Sequence, residues 1–393
     1  MNFKKIINST LYIYYFFSIF VIVTLKYDVL YLSSLIGIAL IILILIYKVL
    51  INKKIYIKRQ IFFKIVCYIY CIYIIIITIL IDRHNLVYSI NKVIPIILLT
   101  NLIDYIYLEA IDLRKIKKYV VKLFIMGIIF TICLYLINIS YIQIGMYLKY
   151  VTKSEMISLY AENRLSGFLS HKSRFGIYCI IAATVLLREN TLNKYAKSII
   201  ILLIIVASFL SDSLITFVAL IAIIVIYFIL KNSQEILKTL RMKHVFILCI
   251  IIIFGIVVVN IFINNINELY LDRDFSSLGR RTDIWRYSVE YIRNNLYGTV
   301  RISQDLALGG YMFMNNPHNM FLNEFIESGI IGGIFYIIII FQYMKFIKEP
   351  YIKLSFLAVI ACSQFDKMIA NEVTYIFFGI YALYCSKDTS ENQ

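Results

Sequence analysis

One histidine of the chain begins a stripe of polar residues in an otherwise apolar stretch. His318 is followed by Asn319, Asn323 and Glu327, which recur every four residues and therefore share one face of a helix. An unperturbed imidazole titrates near neutral pH and can take a proton from a hydroxyl group. A carboxylate about two turns inside an apolar block normally faces a bundle interior or a water-filled cavity. We therefore expect the stripe to line a polar site that begins at His318.

Arginines upstream of the histidine offer a second kind of chemistry, the binding of phosphate. Arg281 precedes Trp285 by four residues, and Trp285, Val289 and Ile292 recur with the spacing of one helix face. Such a helix would lie at a membrane surface with Arg281 at headgroup depth. A guanidinium group matches phosphate oxygens in a fork geometry. The pattern is equally typical of a basic interfacial helix whose arginines only contact lipid phosphates, and the sequence leaves both interpretations open.

Further cations stand near these candidates. Arg164, Lys172 and Arg174 come before another apolar block, and Arg280 adjoins Arg281. Cations at a membrane edge usually extend to the headgroups, which is the ordinary expectation for Lys172 and Arg174. Arg164 lies further from the block and is the stronger candidate for a site. Lys172 and Arg280 remain candidates for substrate binding.

The elements that must position these residues follow from composition. Of the 393 residues, 61% are hydrophobic and only 16% are charged, and the mean hydropathy is +0.83. The apolar residues come in blocks of roughly 20, the length of a helix that crosses a bilayer. Because a backbone in lipid must satisfy its own hydrogen bonds, such blocks predict helices. The fold class is therefore an all-α polytopic membrane protein. About twelve transmembrane helices are predicted, at roughly residues 9–25, 30–51, 61–81, 86–103, 119–139, 174–188, 196–212, 214–230, 244–263, 319–343, 351–365 and 371–385.

The orientation follows from the placement of positive charge. Lysines and arginines are concentrated in alternate short loops, which by the positive-inside rule face the cytoplasm together with both termini. Two long loops, at 140–172 and 264–318, then face outward and carry the candidate residues. The whole of 1–393 is predicted to be one integral membrane domain. The formal charge of +16 is spread over short loops, so it does not indicate binding to nucleic acid.

Metal and cofactor chemistry has little support in the sequence. The single Asp-x-Asp pair, Asp272 and Asp274, is a weak signal in a loop. No Cys/His ligand spacing, phosphate-binding loop or nucleophile elbow occurs. The seven cysteines lie in or at the edge of apolar blocks, as buried thiols do. We expect a metal-independent site without a cofactor.

Three stretches resemble motifs of the O-antigen polymerase and O-antigen ligase superfamily, which includes capsular and exopolysaccharide polymerases. The resemblance covers roughly 164–333, and its most specific part is the stretch around His318. Arg280 departs from the pattern, since it stands where glycine is usual, and Asp212 follows Ser211 where the family often has Ser-Arg. The three stretches are Arg164-Leu165-Ser166-Gly167-Phe168, similar to Arg-x-x-Gly; Arg281-Thr282-Asp283-Ile284-Trp285, similar to Arg-x-x-x-Trp and followed by the turn at Gly298; and Pro317-His318-Asn319 with Leu322, Glu327, Gly329 and Gly332, similar to His-Asn-x-x-Leu-x-x-x-x-Glu-x-Gly-x-x-Gly.

The resemblance implies a GT-C-like fold in a bacterial plasma (inner) membrane and an enzyme that acts on glycans linked to a polyprenyl diphosphate such as undecaprenyl diphosphate. It implies that Arg281 and Arg164 stabilise the departing diphosphate. His318 either takes the proton of the acceptor hydroxyl or hydrogen-bonds to the diphosphate. Glu327 either orients the histidine or only braces its helix. The residues expected to contact substrate are Arg280, Trp285, Asn319, Glu327 and Lys172.

The expected function is a polymerase that joins lipid-linked repeat units. A ligase of the same superfamily, which moves finished glycan to a lipid or protein acceptor, has the same motifs and is the nearest alternative. A flippase for lipid-linked oligosaccharide is the alternative from another class, although transporters tend to place polar residues at the bilayer midplane and to show paired repeats. The expected partners are the lipid-linked oligosaccharide and the bilayer. The sequence leaves open whether a chain-length regulator binds.

Overall fold

The computed structural model describes residues 3–20, 32–51, 61–108, 112–144, 148–160, 165–169, 171–189, 192–231, 281–302, 317–366, 369 and 371–385. Helices dominate these residues. In chain order the elements are α1 (Phe3–Tyr15, continued as a π-helix at Phe16–Phe20), α2 (Leu32–Ile46, continued as a π-helix at Tyr47–Ile51), α3 (Ile61–Ile81), a short 3-10 turn (Arg83–Asn85), α4 (Leu86–Tyr107), α5 (Leu113–Leu136), β1 (Ile139–Ile144), β2 (Leu148–Thr152), α6 (Lys153–Tyr160), α7 (Lys172–Arg188), α8 (Lys194–Leu210), α9 (Leu214–Lys231), α10 (Arg281–Asn294), α11 (Met320–Phe346), α12 (Pro350–Cys362) and α13 (Asn371–Ala382).

The predicted spans coincide with helices wherever the structure describes them. The ninth, 244–263, lies outside the described residues, so the number twelve stays a prediction. These helices support a multi-pass membrane protein. Five of the described helices are long and apolar enough to cross a membrane, namely Leu32–Leu50, Ile61–Ile81, Arg83–Tyr107, Leu113–Leu136 and Met320–Phe346.

The helix α3 shows how the bundle meets lipid. Its buried face carries Tyr70 and Cys71, whereas Ile69, Ile72 and Ile76 on the opposite side are 44–59% exposed. A helix that is apolar on its outer face as well as its inner face is suited to hydrocarbon rather than to water. The outer apolar stripe is therefore the surface that α3 presents to the bilayer.

Buried charges mark one end of the bundle. Lys48 and Lys64, at the end of the second helix and the start of α3, both form ion pairs with Asp104 near the end of α4. At the same end, Arg188 at the end of α7 makes a two-pronged pair with Glu349 just before α12, at 2.9 Å for each nitrogen–oxygen contact. Basic residues therefore collect where the predicted orientation places the cytoplasm.

The opposite end carries a β-hairpin that sequence analysis did not predict. Strands β1 and β2 pair antiparallel directly after α5. The segment before α7 is attached to this hairpin, because the Ile142 amide donates to the Gly167 carbonyl at 2.7 Å and the Gly167 amide donates to the Ser140 carbonyl at 3.1 Å. The hairpin thus fixes the backbone that leads into α7.

A break in α11 replaces the continuous helix that the sequence predicted. Gly329 has φ +68° inside the helix, so it interrupts the backbone of the span predicted at 319–343. A turn after α10 fills the break. The amides of Thr299 and Val300 donate to the carbonyls of Ile326 and Glu327, at 3.0 and 2.8 Å. The carbonyls released by the break are therefore satisfied inside the protein, as a membrane requires.

Replacing either glycine at this junction with alanine should destabilise the protein. A Cβ on Gly298 would overlap the backbone of Gly329, a Cβ on Gly329 would overlap the carbonyl of Leu296, and both glycines have positive φ. We expect Gly298→Ala and Gly329→Ala each to cost on the order of 1–3 kcal/mol or more, measured as a lower unfolding midpoint in detergent. Gly37→Ala is the matched control, because a Cβ there meets only side-chain atoms. Equal midpoints for all three variants would contradict the tight junction.

Candidate functional site

A buried carboxylate at the hairpin end of the bundle is contacted by two histidines. Asp366 follows α12 and is 5% exposed. The Nδ1 atom of His318 lies 3.3 Å from its Oδ1, and the Nδ1 atom of His171 lies 3.5 Å from its Oδ2. Sequence analysis singled out His318 but not Asp366. The two imidazoles and the carboxylate form the centre of the candidate site.

The surroundings of Asp366 favour its charged form. Burial alone would raise its pKa, but hydrogen bonding to His318, the charges of His171 and His318, and a hydrogen bond from Ser173 together hold the pKa below its usual value. Ser173 lies in the first turn of α7, where the helix dipole also favours negative charge. Asp366 is therefore an anion at neutral pH.

The backbone around His318 is held in an unusual conformation. His318 has φ +49°, a left-handed value that a non-glycine residue adopts only when its surroundings impose it. Asn319 caps α11, since its Oδ1 accepts from the amides of Phe321 and Leu322 at 3.0 Å. The Met320 amide donates to the Ser363 carbonyl at 2.8 Å, which joins the start of α11 to the end of α12. This junction brings His318 to Asp366.

The predicted helix with Arg281 is present as α10 and approaches the same carboxylate. Burial lowers the pKa of Arg281, and the negative charge of Asp366 acts in the opposite direction. Trp285 connects α10 to both sides of the site. Its Nε1 donates to the carbonyl of Pro317 at 3.1 Å, and its ring lies 6.4 Å from that of Phe365, centroid to centroid. Trp285 therefore contacts the residues that precede His318 and Asp366.

The buried face of α10 differs from the predicted one. Ile284, Ser288 and Ile292 are buried, while Val289 is 41% exposed. Of these, Ile292 packs against Ile326 in the first turns of α11. The helix thus docks on protein rather than only on lipid, and this docking holds Arg281 at a fixed place.

Two of the predicted arginines lie outside the described residues, namely Arg164 and Arg280. The residue after Arg164 is well anchored, because the buried Leu165 donates its amide to the Leu210 carbonyl at 3.0 Å. Lys172 begins α7 and forms an ion pair with Asp212 at 3.2 Å. Lys172 therefore has a protein partner close to the site, rather than only the lipid headgroups that sequence analysis gave as its ordinary role.

Glu327 lies in a different cluster from His318. Its carboxylate accepts from Tyr88 Oη at 2.8 Å and from Lys92 Nζ at 3.1 Å, and Lys92 also pairs with Glu324 at 2.8 Å. These contacts join α11 to α4 within the bundle. The partner of His318 is Asp366, so of the two roles left open for Glu327 the structure favours bracing the helix.

Asp366 gave little signal in the sequence. It stands alone in a short predicted outer loop, and no periodic pattern connects it to His318. Only the position of Asp366 in the sequence indicated a possible role. It directly follows the predicted span 351–365, so it lies at the membrane edge with the other candidate residues.

The comparison with protein families agrees with the motifs. Residues 199–337 match the family model described as O-antigen ligase. This match supports membership of the O-antigen polymerase and ligase superfamily. The matched range contains Arg281, His318 and most of α11, but it starts after His171 and ends before Asp366. A comparison with curated proteins gives no match. The matched family suggests glycosyltransferase-like activity of the ligase or polymerase type.

Within the part of the chain that the structure describes, no group of three or more His, Cys, Asp or Glu side chains has an arrangement suited to a metal ion. The predicted pair Asp272 and Asp274 lies outside that part.

Substitution of Asp366 tests the centre of the site. Asp366→Asn keeps the shape of the side chain but removes the charge that orients the imidazole of His318. We expect glycan transfer to fall by about 10²–10⁴-fold, in the range seen when a buried carboxylate behind a catalytic histidine is neutralised. The measurement is the initial rate with lipid-linked glycan in membranes that contain equal amounts of protein. Asp283→Asn, an exposed position on α10, is the matched control and should keep the wild-type rate. A wild-type rate for Asp366→Asn would exclude the carboxylate from the mechanism.

Proposed function

We propose that the protein is a polysaccharide polymerase that transfers a polyprenyl-diphosphate-linked glycan to a hydroxyl group of a second lipid-linked repeat unit. The observation that carries the proposal is the pairing of His318 with Asp366, whose charge also acts on Arg281, at one end of a membrane bundle. This end lies opposite the buried basic residues Lys48 and Lys64. By the positive-inside rule, the site then faces outward in a bacterial plasma membrane.

The chemistry assigns a task to each side chain. The acceptor hydroxyl oxygen bonds to the anomeric carbon of the donor glycan, and the bond from that carbon to the diphosphate oxygen breaks. The electron pair of the broken bond leaves with the lipid diphosphate. Arg281 stabilises this charge, because guanidinium groups bind phosphate oxygens strongly in a partly buried site.

His318 receives the hydroxyl proton in this mechanism. Its Nδ1 faces Asp366, so the opposite ring nitrogen, Nε2, is the atom that would meet the acceptor. The Asp366 carboxylate fixes the orientation of the ring and stabilises the imidazolium that forms. In the alternative role, a protonated His318 would donate to the diphosphate instead. Arg164 is proposed as a second diphosphate ligand on the basis of its motif alone.

A ligase reaction is the second candidate, because the matching family is described as O-antigen ligase. The two reactions share the donor and differ only in the acceptor, which is a lipid or protein in the ligase. A flippase is disfavoured, because the histidines and Arg281 meet at the end of the bundle rather than at its middle. The site of accumulation in a deletion strain separates these functions, since a missing polymerase leaves single repeat units in the outer leaflet and a missing flippase leaves them in the inner leaflet.

Loss of either main side chain should stop polymerisation. We expect His318→Ala and Arg281→Ala each to lower transfer by about 10²-fold or more, through loss of proton transfer or of charge stabilisation. The readout is the chain-length distribution of the polysaccharide, together with the amount of protein in the membrane.

The matched controls are His84→Ala and Arg286→Ala, both exposed and outside the site. Both should make polymer of normal length. A wild-type distribution in either test variant would remove that residue from the mechanism. If both test variants polymerise normally, the proposed site is wrong.

The reaction should not depend on a divalent metal, because Arg281 is proposed to stabilise the diphosphate. We expect the transfer rate of washed membranes to stay within about twofold on addition of EDTA. Restoration of a lost rate by Mg²⁺ or Mn²⁺ would show that a metal ion supplies the charge stabilisation assigned here to arginine.

A further inference from the structure

His171 contacts the site but has no role in the reaction described above. It is the residue immediately before α7, and its Nδ1 accepts a hydrogen bond from the Ser173 amide at 3.3 Å. The same nitrogen lies 3.5 Å from Oδ2 of Asp366. A neutral imidazole nitrogen either accepts or donates, so Nδ1 cannot cap α7 and donate to Asp366 at the same time.

Protonation changes which contact His171 makes. The neutral ring, with its proton on Nε2, caps the helix. The imidazolium carries a proton on Nδ1 and must donate it, and Asp366 is the acceptor within reach. His318 uses the other oxygen of the same carboxylate, at 3.3 Å. Two imidazoles thus share a single negative charge.

Other charged groups around this pair come from several elements. Arg281 at the start of α10 is influenced by Asp366. Lys172, next to His171, is paired with Asp212 in the turn between α8 and α9. Arg174, in the first turn of α7, is always charged.

We propose that His171 is a positioning residue that shares the Asp366 carboxylate with His318 and thereby sets the pH range in which His318 works. The proposal rests on the proposed function, because it concerns the same reaction. When His171 is protonated, it takes part of the Asp366 charge and makes protonation of His318 harder. The two imidazoles therefore compete for one carboxylate.

The substitution His171→Asn tests this coupling. Asparagine is a good helix cap, so it keeps the hydrogen bond to the Ser173 amide while removing the titration. The whole charge of Asp366 then acts on His318 alone and favours its protonated ring. The midpoint of the pH–rate profile should therefore move upward by about 0.5–1 pH unit, less than for a fully buried pair because both rings are partly exposed.

The direction of the shift does not depend on the role of His318. If the neutral ring acts as base, the acid limb moves upward; if the protonated ring binds diphosphate, the basic limb moves upward. The experiment measures kcat and KM between about pH 5 and 9, with lipid-linked repeat units extracted from a deletion strain. His84→Asn is the matched control and should leave the profile in place.

The outcomes distinguish the two proposals. An active wild-type enzyme with an upward shift in His171→Asn supports the inference. An active wild-type enzyme with an unshifted or downward-shifted profile in that variant overturns the inference alone. Failure of the wild-type protein to transfer glycan at any pH overturns the proposed function itself. If His171→Asn does not accumulate in membranes, His171→Ser also caps a helix and is judged by the same shift.

Discussion

The buried carboxylate of Asp366 is the interaction on which the arrangement of the site depends. It joins the start of α7 to the turn before α11 through His171 and His318, and its charge reaches Arg281 at the start of α10. These segments are far apart in sequence. Because the pKa of Asp366 is below its usual value, its charge stabilises the folded protein above the pKa it has when unfolded. That stabilisation is lost as the pH falls through the folded-state pKa.

Backbone contacts supply the rigidity that this carboxylate needs. The turn at Gly298 closes the break at Gly329, so α10 and α11 form one packed unit. Trp285 ties the start of that unit to the carbonyl of Pro317. The ion pair between Lys92 and Glu327 joins α11 to α4 within the bundle. The residues of the motif thus lie in two places. His318 contacts Asp366, whereas Glu327 contacts Lys92 between α11 and α4.

Hydropathy was sufficient to predict most of the described helices, because each span is a continuous apolar block that can be recognised without knowing its neighbours. The chemistry of single side chains pointed to His318, which the structure pairs with Asp366, and to Arg281; their catalytic roles stay predictions. The sequence could not predict the break in α11, since a glycine pair in an apolar block also fits an unbroken helix and only the turn at Gly298 decides between them. The hairpin was missed because its strands are short and lie between helices.

Asp366 and the role of His171 could not be predicted for a related reason. Each depends on a contact between segments whose spacing carries no periodic signal. Glu327 was the only carboxylate that helical spacing linked to His318, and the structure places it instead with Lys92. A polar stripe on a helix specifies which residues share a face but not what that face meets.

An experimental structure with a polyprenyl diphosphate bound would test the central claim most directly. The account predicts that the diphosphate oxygens lie within about 3 Å of the Arg281 guanidinium, with His318 still paired to Asp366. A diphosphate bound at the other end of the bundle, near Lys48 and Lys64, would contradict it.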